Sequence, residues 1–465
     1  MKKIIIFGFG SGGKQAFQLL SSSHTIVAIC DSKKQAIREY LNVPVILPTQ
    51  IPDFDYDRII VASMYVSKVM AVLQNIGVNE EKIDVYETVR ILIDKRLKDA
   101  ERLIHNKQTN IEHGTALDKL LNQPADAMLP EEWCLLYDYL IANMQFDKGL
   151  MARDKTLTAY QKTSPCEDRM LALLDMGLFD EAKSELRKIS LAGDSRECGE
   201  SRECGNNDPG SIESLSALLN LYSGSVALAS RDIAQRNITS QNKQALDFSA
   251  LINGRTIAVV GPCLANDEQG KQIDECDLVV RLSPSVINET EYNKLGSRTD
   301  IVYVGAHAPV YMLKENMFLL KRDDVFYVFE SIITDSQEQL VTEGRARKME
   351  FQIKLFNGFP NFLQRILIDL LLLGAGRIKI FNFDFYTGKQ AYGSHYKNLV
   401  DRKKFSSRPK NHLLQSQAVL HDFASQFNFC KIIMEKDVID ADTKGRTILG
   451  MTLVEYFMLL EEAFS

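Results

Sequence analysis

An apolar run that ends at Gly261-Pro262 constrains the fold of this chain more than any other feature of its sequence. The run, Thr256–Val260, is long enough for one strand, and a second such run follows at Leu278–Leu282. Continuous apolar strands are typical of the inside of a parallel sheet. The backbone N–H groups after such a strand, and the fixed charge of Arg281, suit a phosphorylated ligand. The same pattern is also that of the first two strands of any α/β domain.

The length and charge of the chain limit the kinds of protein to which it can belong. A chain of 465 residues is too long for one core, so we expect two to four domains. The net charge is −6 and no long basic run is present, which argues against a nucleic-acid partner. No apolar stretch reaches the ~18 residues of a membrane span, and the chain opens without a signal-peptide pattern. We therefore expect a cytoplasmic protein, or one peripheral to the inner face of the membrane, with reduced thiols.

Residues 1–99 predict a small Rossmann-like domain. A strand is followed by a turn in which Gly8, Gly10 and Gly13 have the spacing of a dinucleotide fingerprint. The next strand ends on Asp31, where such folds place an acid that binds ribose. The domain resembles the nucleotide-sugar-binding-like N-terminal domains of some bacterial sugar acyltransferases. The alternative is a Rossmann-like domain with the same glycine turn that binds nothing.

Residues 100–250 predict a helical-repeat region. Similar helix-pair signatures recur at Phe146-Asp147, Phe179-Asp180 and Gly224-Ser225, spaced by 33 and then 45 residues. The first spacing is close to the ~34 residues of tetratricopeptide-type repeats. The excess in the second equals the length of two hexapeptides, SRECGE and SRECGN, which indicates an insertion between repeats. Such repeats form a surface for a partner or a glycan, or they serve only as a spacer or packing collar.

In residues 251–465, patterns typical of strands alternate with patterns typical of helices. Together with residues 1–99, they predict that the protein belongs to the α/β fold class. Further parallel strands are expected at 300–305, 325–329 and 377–383, and a long apolar helix is expected at 361–373. The last strand leads into a group rich in tyrosine and histidine. Its members are Asp384, Phe385, Tyr386, Tyr392, His395, His412 and Gln417.

The third region resembles the sialyltransferases, both the animal-type family 29 and the bacterial family 42. The stretch from 255 to 281 is similar to the large sialylmotif of those families, which binds the CMP half of a CMP-sugar donor. The residues that carry this resemblance are Gly270, Ile273, Asp274, Asp277 and Arg281, followed by Gly296, Ser297, Arg298, Thr299 and Asp300. The resemblance implies a C-terminal Rossmann-like domain of sialyltransferase type. The nucleotide contacts that it implies are Gly261, Asn266, Arg281, Ser283 and Asn361, with Arg281 serving either the donor or the fold.

The Tyr/His group implies the chemistry by the same resemblance. In family 42 an Asp-Phe-Tyr and a later Tyr hold the donor phosphate, which assigns that role to Tyr386 and Tyr392. His412 resembles the catalytic base of the very small sialylmotif, with Gln417 in place of its Glu, and His395 resembles a third motif. A base with a pKa near 7 suits the activation of a sugar hydroxyl.

The function implied is an inverting, metal-independent glycosyltransferase. Its donor is CMP-sialic acid or another CMP-nonulosonate, with no further cofactor. Its acceptor is a glycan, free or lipid-linked, in bacterial-type surface-glycan synthesis such as that of capsule or lipopolysaccharide. Two alternatives remain: a CMP-Kdo-type transferase, and a non-catalytic scaffold for glycan assembly, which Ser283 and Gln417 favour. NAD-dependent oxidoreduction by residues 1–99 rests only on the glycine turn and Asp31.

Overall fold

The α/β class predicted from the sequence is confirmed by the computed structural model. It describes residues 2–21, 24–31, 38–62, 66–79, 82–85, 88–106, 113–194, 209–237, 243–263, 267–282, 287–305, 322–330, 335–349, 353–388 and 410–465. The chain forms two compact units. The first is Met1–Lys98 with Ile333–Glu338, and the second is Asp99–Ile332 with Gln339–Ser465. The helical region and the C-terminal sheet therefore belong to the same unit. Within the described residues no helix has the length and apolarity to cross a membrane.

The first unit is built on a six-stranded sheet in the order β3-β4-β2-β1-β5-β6. Its pairs are parallel except β3 with β4. Isoleucines on one face of β1 pack with Phe17 of α1 to make the core. The strands are β1 Lys3–Phe7, β2 Thr25–Cys30, β3 Glu39–Tyr40, β4 Val43–Ile46, β5 Arg58–Val61 and β6 Ile83–Val85, and the helices are α1 Ser11–Leu20, α2 Val66–Asn75 and α3 Thr88–Asn106, which runs on beyond Lys98.

The second unit begins with helices that pack as hairpins. They are α4 His113–Leu121, α5 Pro130–Ala142, α6 Phe146–Gln161, α7 Glu167–Asp175, α8 Phe179–Asp194, α9 Pro209–Tyr222, α10 Val226–Asn237 and α11 Lys243–Ile252. Three helix pairs, α5–α6, α7–α8 and α9–α10, turn at Met144, Gly177 and Gly224, each with a positive φ. A left-handed residue ends a helix by bonding its last carbonyls. The recurrence in the sequence thus marks three equivalent turns, while the duplicated hexapeptides lie outside the described residues.

A seven-stranded sheet forms the rest of the second unit, in the order β11-β10-β9-β8-β7-β12-β13. Every pair is parallel. The strands are β7 Thr256–Val260, β8 Leu278–Leu282, β9 Ile301–Val304, β10 Phe326–Phe329, β11 Ala346–Lys348, β12 Arg377–Phe381 and β13 Ile439–Ala441. The helices are α12 Gly270–Asp274, α13 Tyr292–Leu295, α14 Asp335–Thr342, α15 Phe362–Leu372, α16 Lys410–Leu420, α17 Phe423–Glu435, α18 Thr443–Leu449 and α19 Leu453–Phe464.

The order of this sheet fixes where a ligand crevice opens. The chain moves outward from β7 to β11 and then returns to place β12 on the other side of β7. Because the connections leave β7 and β12 in opposite directions, we expect a ligand crevice at their carboxyl ends, as in other open α/β sheets. Gly261 follows β7 at this edge, and the segment from Asn382 to Tyr386 follows β12.

Candidate functional site

Asn361 connects the elements around this crevice. It precedes α15, and its Oδ1 accepts the N–H of Phe362 at 2.8 Å, which caps the helix. Its Nδ2 donates to the phenol oxygen of Tyr386 at 2.5 Å and to Oε1 of Gln417 at 2.9 Å. Its own backbone N–H donates to Oε1 of Gln426 at 2.7 Å. We call Asn361, Tyr386, Gln417 and Gln426 the Asn361 cluster. Three of them were singled out in the sequence and come from separate segments.

Tyr386 is held by an unusual backbone after β12. Both Phe385 and Tyr386 have positive φ, 49° and 66°, a conformation that costs free energy for residues other than glycine and is retained where the surroundings impose it. The carboxylate of Asp384 accepts the Tyr386 N–H at 3.0 Å. The Tyr386 ring stands edge-on to Phe423, with centroids 5.6 Å apart. The phenol is therefore fixed in place by both its backbone and its ring.

Gln426 is a member of the cluster that the sequence did not reveal. Besides accepting from Asn361, it donates through Nε2 to the carbonyls of Phe359, at 3.2 Å, and His421. A buried glutamine on α17 thus fixes the backbone that leads into α15. No motif in the sequence points to it, because Asn361 and Phe359 lie 65 and 67 residues away from it along the chain.

Gly261 allows β7 and β12 to approach each other closely. A Cβ at this position would lie 2.4 Å from the carbonyl oxygen of Asn382. The Gly261 N–H donates to Phe381 O at 2.7 Å, so this amide is used within the fold. On the other side of the crevice, Asn382 is tied to Gln269 at 2.7 Å and to Asp442 at 2.7 Å. These bonds fix the floor of the crevice.

Arg281 serves the fold. It is 3% exposed, and its Nη2 donates to the carbonyls of Leu295 at 2.8 Å and Arg298 at 2.7 Å. Its Nε donates to Thr299 Oγ1 at 2.9 Å. Burial lowers the pKa of Arg281 to about 10, which leaves the side chain charged at neutral pH. Of the two roles open in the sequence, these contacts favour the structural one.

The acidic residues of the motif also bond within the fold. Asp274 accepts the N–H groups of Ser297, at 2.8 Å, and Arg298, at 3.1 Å. Asp277 accepts the N–H of Thr256 at 2.7 Å, and Asp300 that of Val279 at 2.7 Å. The stretch that resembles the large sialylmotif thus ties β7, β8 and the 296–300 segment together.

A charged pair lies at the start of α15. Arg365, one helical turn after Asn361, donates through Nε to Pro360 O at 2.7 Å and forms an ion pair with Glu330, which follows β10. Cys263 lies at the same edge of the sheet. Its burial and the Asp384 carboxylate raise the pKa of the Cys263 thiol. That thiol is therefore protonated at neutral pH and is not suited to act as a nucleophile.

Several predicted site residues are not among those described. Asn266, Ser283, Tyr392 and His395 lie outside the described residues. His412 belongs to α16, the helix that carries Gln417, and its side chain is outside the description. Their roles remain predictions.

The glycine turn of the first unit is tightly packed. Gly8 has a φ of 121°, and a Cβ at Gly13 would lie 1.8 Å from the Gly8 carbonyl oxygen. Gly10 precedes α1 and has no atom within 4 Å of an added Cβ. The carboxylate of Asp31 accepts the N–H of Phe9 at 3.0 Å. Asp31 thus contacts the glycine turn through the backbone of Phe9. That a nucleotide binds there remains a prediction.

The chain is similar to known proteins in two places. A family model described as C2185-like, N-terminal, matches residues 1–84. Among the solved structures that match is a mammalian sialyltransferase, at 17% sequence identity and a TM-score of 0.28, over 43% of this chain and 73% of that chain. A superposition at that TM-score carries no argument about function. No curated protein matches the sequence significantly.

Proposed function

We propose that residues 251–465 form a glycosyltransferase domain that takes a nonulosonic acid, most simply sialic acid, from its CMP donor. The observation that supports this most strongly is the Asn361 cluster. Asn361, Tyr386 and Gln417 come from three separate segments of the region that resembles the sialyltransferases, and their side chains meet through Asn361 Nδ2. Tyr386 follows β12, at the carboxyl edge of the sheet, where α/β sheets bind nucleotides.

The cluster suits a phosphate ester that becomes a leaving group. Asn361 lies at the N-terminus of α15, where the helix dipole favours a negative charge. Asn361 donates to the Tyr386 phenol oxygen, and in the proposed reaction the phenol donates its hydrogen to a phosphate oxygen of the bound donor. A phenol fixed in this way stabilises the charge that develops on departing CMP.

The proposed reaction is a single inverting displacement. His412 takes the proton of the acceptor hydroxyl as that oxygen attacks the anomeric carbon, and the bond to the CMP phosphate breaks. Tyr392 and His395 assist Tyr386 on the phosphate, in the roles that their resemblance implies. A donor with one phosphate needs no bridging divalent ion, so the proposed reaction uses none.

Replacing one phenol tests this proposal. We expect Tyr386→Phe to lower kcat for transfer from CMP-sialic acid to a galactoside by about a hundredfold, because the phosphate loses a fixed donor while the ring packing on Phe423 is kept. Tyr292→Phe, which removes an exposed phenol of α13, serves as the control and keeps full activity. An unchanged kcat in Tyr386→Phe contradicts the proposed role. CMP-Kdo is assayed in parallel as the other donor.

The second candidate is a scaffold that has lost activity. The burial of Arg281 among backbone carbonyls favours it, as does Gln417 in place of the Glu of the very small sialylmotif. A thermal-shift titration with CMP separates the two candidates. Ligand at 100 times its dissociation constant stabilises a protein by ~2.7 kcal/mol. An absence of any shift at millimolar CMP favours the scaffold.

A further inference from the structure

The corner between α16 and α17 is a sharp turn of two residues, His421 and Asp422, and Asp422 is fully buried. Asp422 separates the two helices, has a φ of 45°, and is 0% exposed. Its Oδ1 accepts the N–H of Ala424 at 3.1 Å and so caps α17. The two helices that meet here carry Gln417 and Gln426. The angle at Asp422 therefore sets where two members of the Asn361 cluster lie.

The Asp422 carboxylate is held by the helical region. It accepts the hydroxyl of Tyr137, on α5, at 2.5 Å and Nη1 of Arg153, on α6, at 2.6 Å. Ser425 of α17 donates to it as well, at 2.5 Å. Charge-assisted bonds in a buried site are strong and directional. The corner is thus fixed by Arg153 and Tyr137, which lie 269 and 285 residues before Asp422 in the chain.

Arg153 extends this attachment to a third helix. Its Nη2 donates to Asp175, the last residue of α7, at 2.5 Å. The guanidinium lies 5.4 Å from the centre of the Tyr137 ring and 5.3 Å from that of Phe356. Asn428 of α17 donates to Asp175 at 3.1 Å. Three helices of the repeat region therefore contact the same corner.

The segment that leads to Asn361 is attached in the same way. Asn357, with a φ of 54°, donates through Nδ2 to the buried Asp138 of α5 at 2.9 Å. The hydroxyl oxygen of Ser425 also lies 2.6 Å from the Phe356 carbonyl oxygen, so its single hydrogen is shared between that carbonyl and Asp422. The Phe356 ring stands edge-on to Tyr160 of α6. Both chain segments that converge on the Asn361 cluster are held by α5 and α6. A mere spacer needs no such contacts.

We propose that the helical region is a positioning scaffold for the Asn361 cluster, and that Tyr137, Arg153 and Asp422 are its positioning residues. They fix the α16–α17 corner, and the corner places Gln417 and Gln426 against Asn361. The effect on catalysis rests on the proposed function, whereas the effect on the cluster's geometry does not.

A pair of matched variants tests this role. Tyr303 is the counterpart of Tyr137 elsewhere in the second unit. In a fully buried site beside Arg347, its hydroxyl donates to Asp369 at 2.6 Å. In the same way, Tyr137 donates to Asp422 beside Arg153. Tyr137→Phe and Tyr303→Phe thus remove the same kind of bond at two places. Because Asp369 lies on α15, whose N-cap is Asn361, the two variants are compared at the α16–α17 corner. We expect both to lower Tm, and only Tyr137→Phe to speed amide hydrogen exchange of residues 410–422, by about tenfold.

The outcomes separate this proposal from the proposed function. Equal exchange in the two variants, or faster exchange spread evenly over the whole second unit in Tyr137→Phe, overturns the positioning role. If Tyr137→Phe fails to fold, Ser425→Ala removes another bond to Asp422 and gives the same readout. Exchange is measured without ligand, so a wild-type protein that fails to bind CMP counts against the transferase alone. In an active enzyme, Tyr137→Phe lowers kcat and Tyr303→Phe does not.

Discussion

Gly254 and Gly296 share a backbone conformation but differ in what surrounds them. Both have a φ of 69°. A Cβ at Gly254 meets no atom within 4 Å, whereas one at Gly296 would lie 2.5 Å from Oδ1 of Asp274. That carboxylate accepts the N–H groups of Ser297 and Arg298. At position 296, therefore, both the left-handed backbone and the lack of space beside Asp274 disfavour any side chain larger than that of glycine.

Alanine at the two positions separates these effects. We expect Gly254→Ala to lower the free energy of unfolding by about 1–2 kcal/mol, the cost of a left-handed alanine. Gly296→Ala should lower it by about 1–3 kcal/mol more, since the displaced Asp274 leaves backbone donors without their acceptor. Urea unfolding measures both. Equal losses would show that the Asp274 contacts contribute little to stability.

At this scale the sequence revealed residues that lie in ordered motifs. Asn361, Tyr386 and Gln417 were identified because their segments follow one another along the chain in the order known from the sialyltransferases. Gln426 and Asp422 were missed because their partners are distant in the chain, and an isolated buried Gln or Asp gives no local pattern. Arg281 was found, but a sequence does not show whether a guanidinium faces a ligand or backbone carbonyls.

At the scale of elements, α15 joins the fold to the site. Nine of its eleven residues are buried, which fits the continuous apolar pattern that predicted it. Asn361 both caps this helix and bonds Tyr386 and Gln417. The cap uses Oδ1 and the cluster uses Nδ2, so the two roles belong to different atoms.

Two substitutions of Asn361 distinguish the cap from the cluster. Asn361→Asp keeps an acceptor for Phe362 and adds a charge that favours a helix N-terminus, but it loses the donor to Tyr386 and Gln417. We therefore expect its Tm to fall, by less than that of Asn361→Ala. The same charge opposes phosphate, and the dissociation constant for CMP should rise at least about tenfold. Asn361→Ala loses both roles and about 1 kcal/mol of stability. Calorimetric titration and thermal unfolding measure these effects. Unaltered CMP affinity in Asn361→Asp contradicts phosphate binding at this helix.

The strands show which elements a pattern predicts. Apolar runs gave β7 and β8 at their observed bounds, because inner strands are apolar throughout. β11 and β13 have three residues each and were missed, since so short a run has no detectable period. The sheet order, which places the crevice, depends on crossovers that the sequence does not encode locally.

At the scale of the whole molecule, a buried charge network joins the helical region to the C-terminal sheet within one compact unit. Arg153 lies between the carboxylates of Asp175 and Asp422. One cation thus faces two acids in a site without water-exposed surface. Burial raises the pKa of Asp175 above its ordinary value of 3.8, with the Asp422 charge acting in the same direction.

This shift predicts a pH dependence of stability. Folded protein holds a proton on Asp175 more readily than unfolded protein does, so stability falls as pH rises from about 4 through the raised pKa. Asp175→Asn removes this contribution and should keep the amide's bonds to Arg153 through its carbonyl oxygen. We expect the Tm of the wild type to fall relative to that of Asp175→Asn as pH increases over this window. A difference in Tm that does not vary with pH contradicts the shift.

The central claim is that the crevice beside Asn361 binds a cytidine monophosphate ester. Amide hydrogen exchange of the full chain, with and without saturating CMP, tests it most directly. The account predicts that CMP slows exchange at residues 361–364 and 384–387, where α15 begins and Tyr386 lies. Protection confined to residues 8–14 of the first unit, or no protection anywhere, would contradict it.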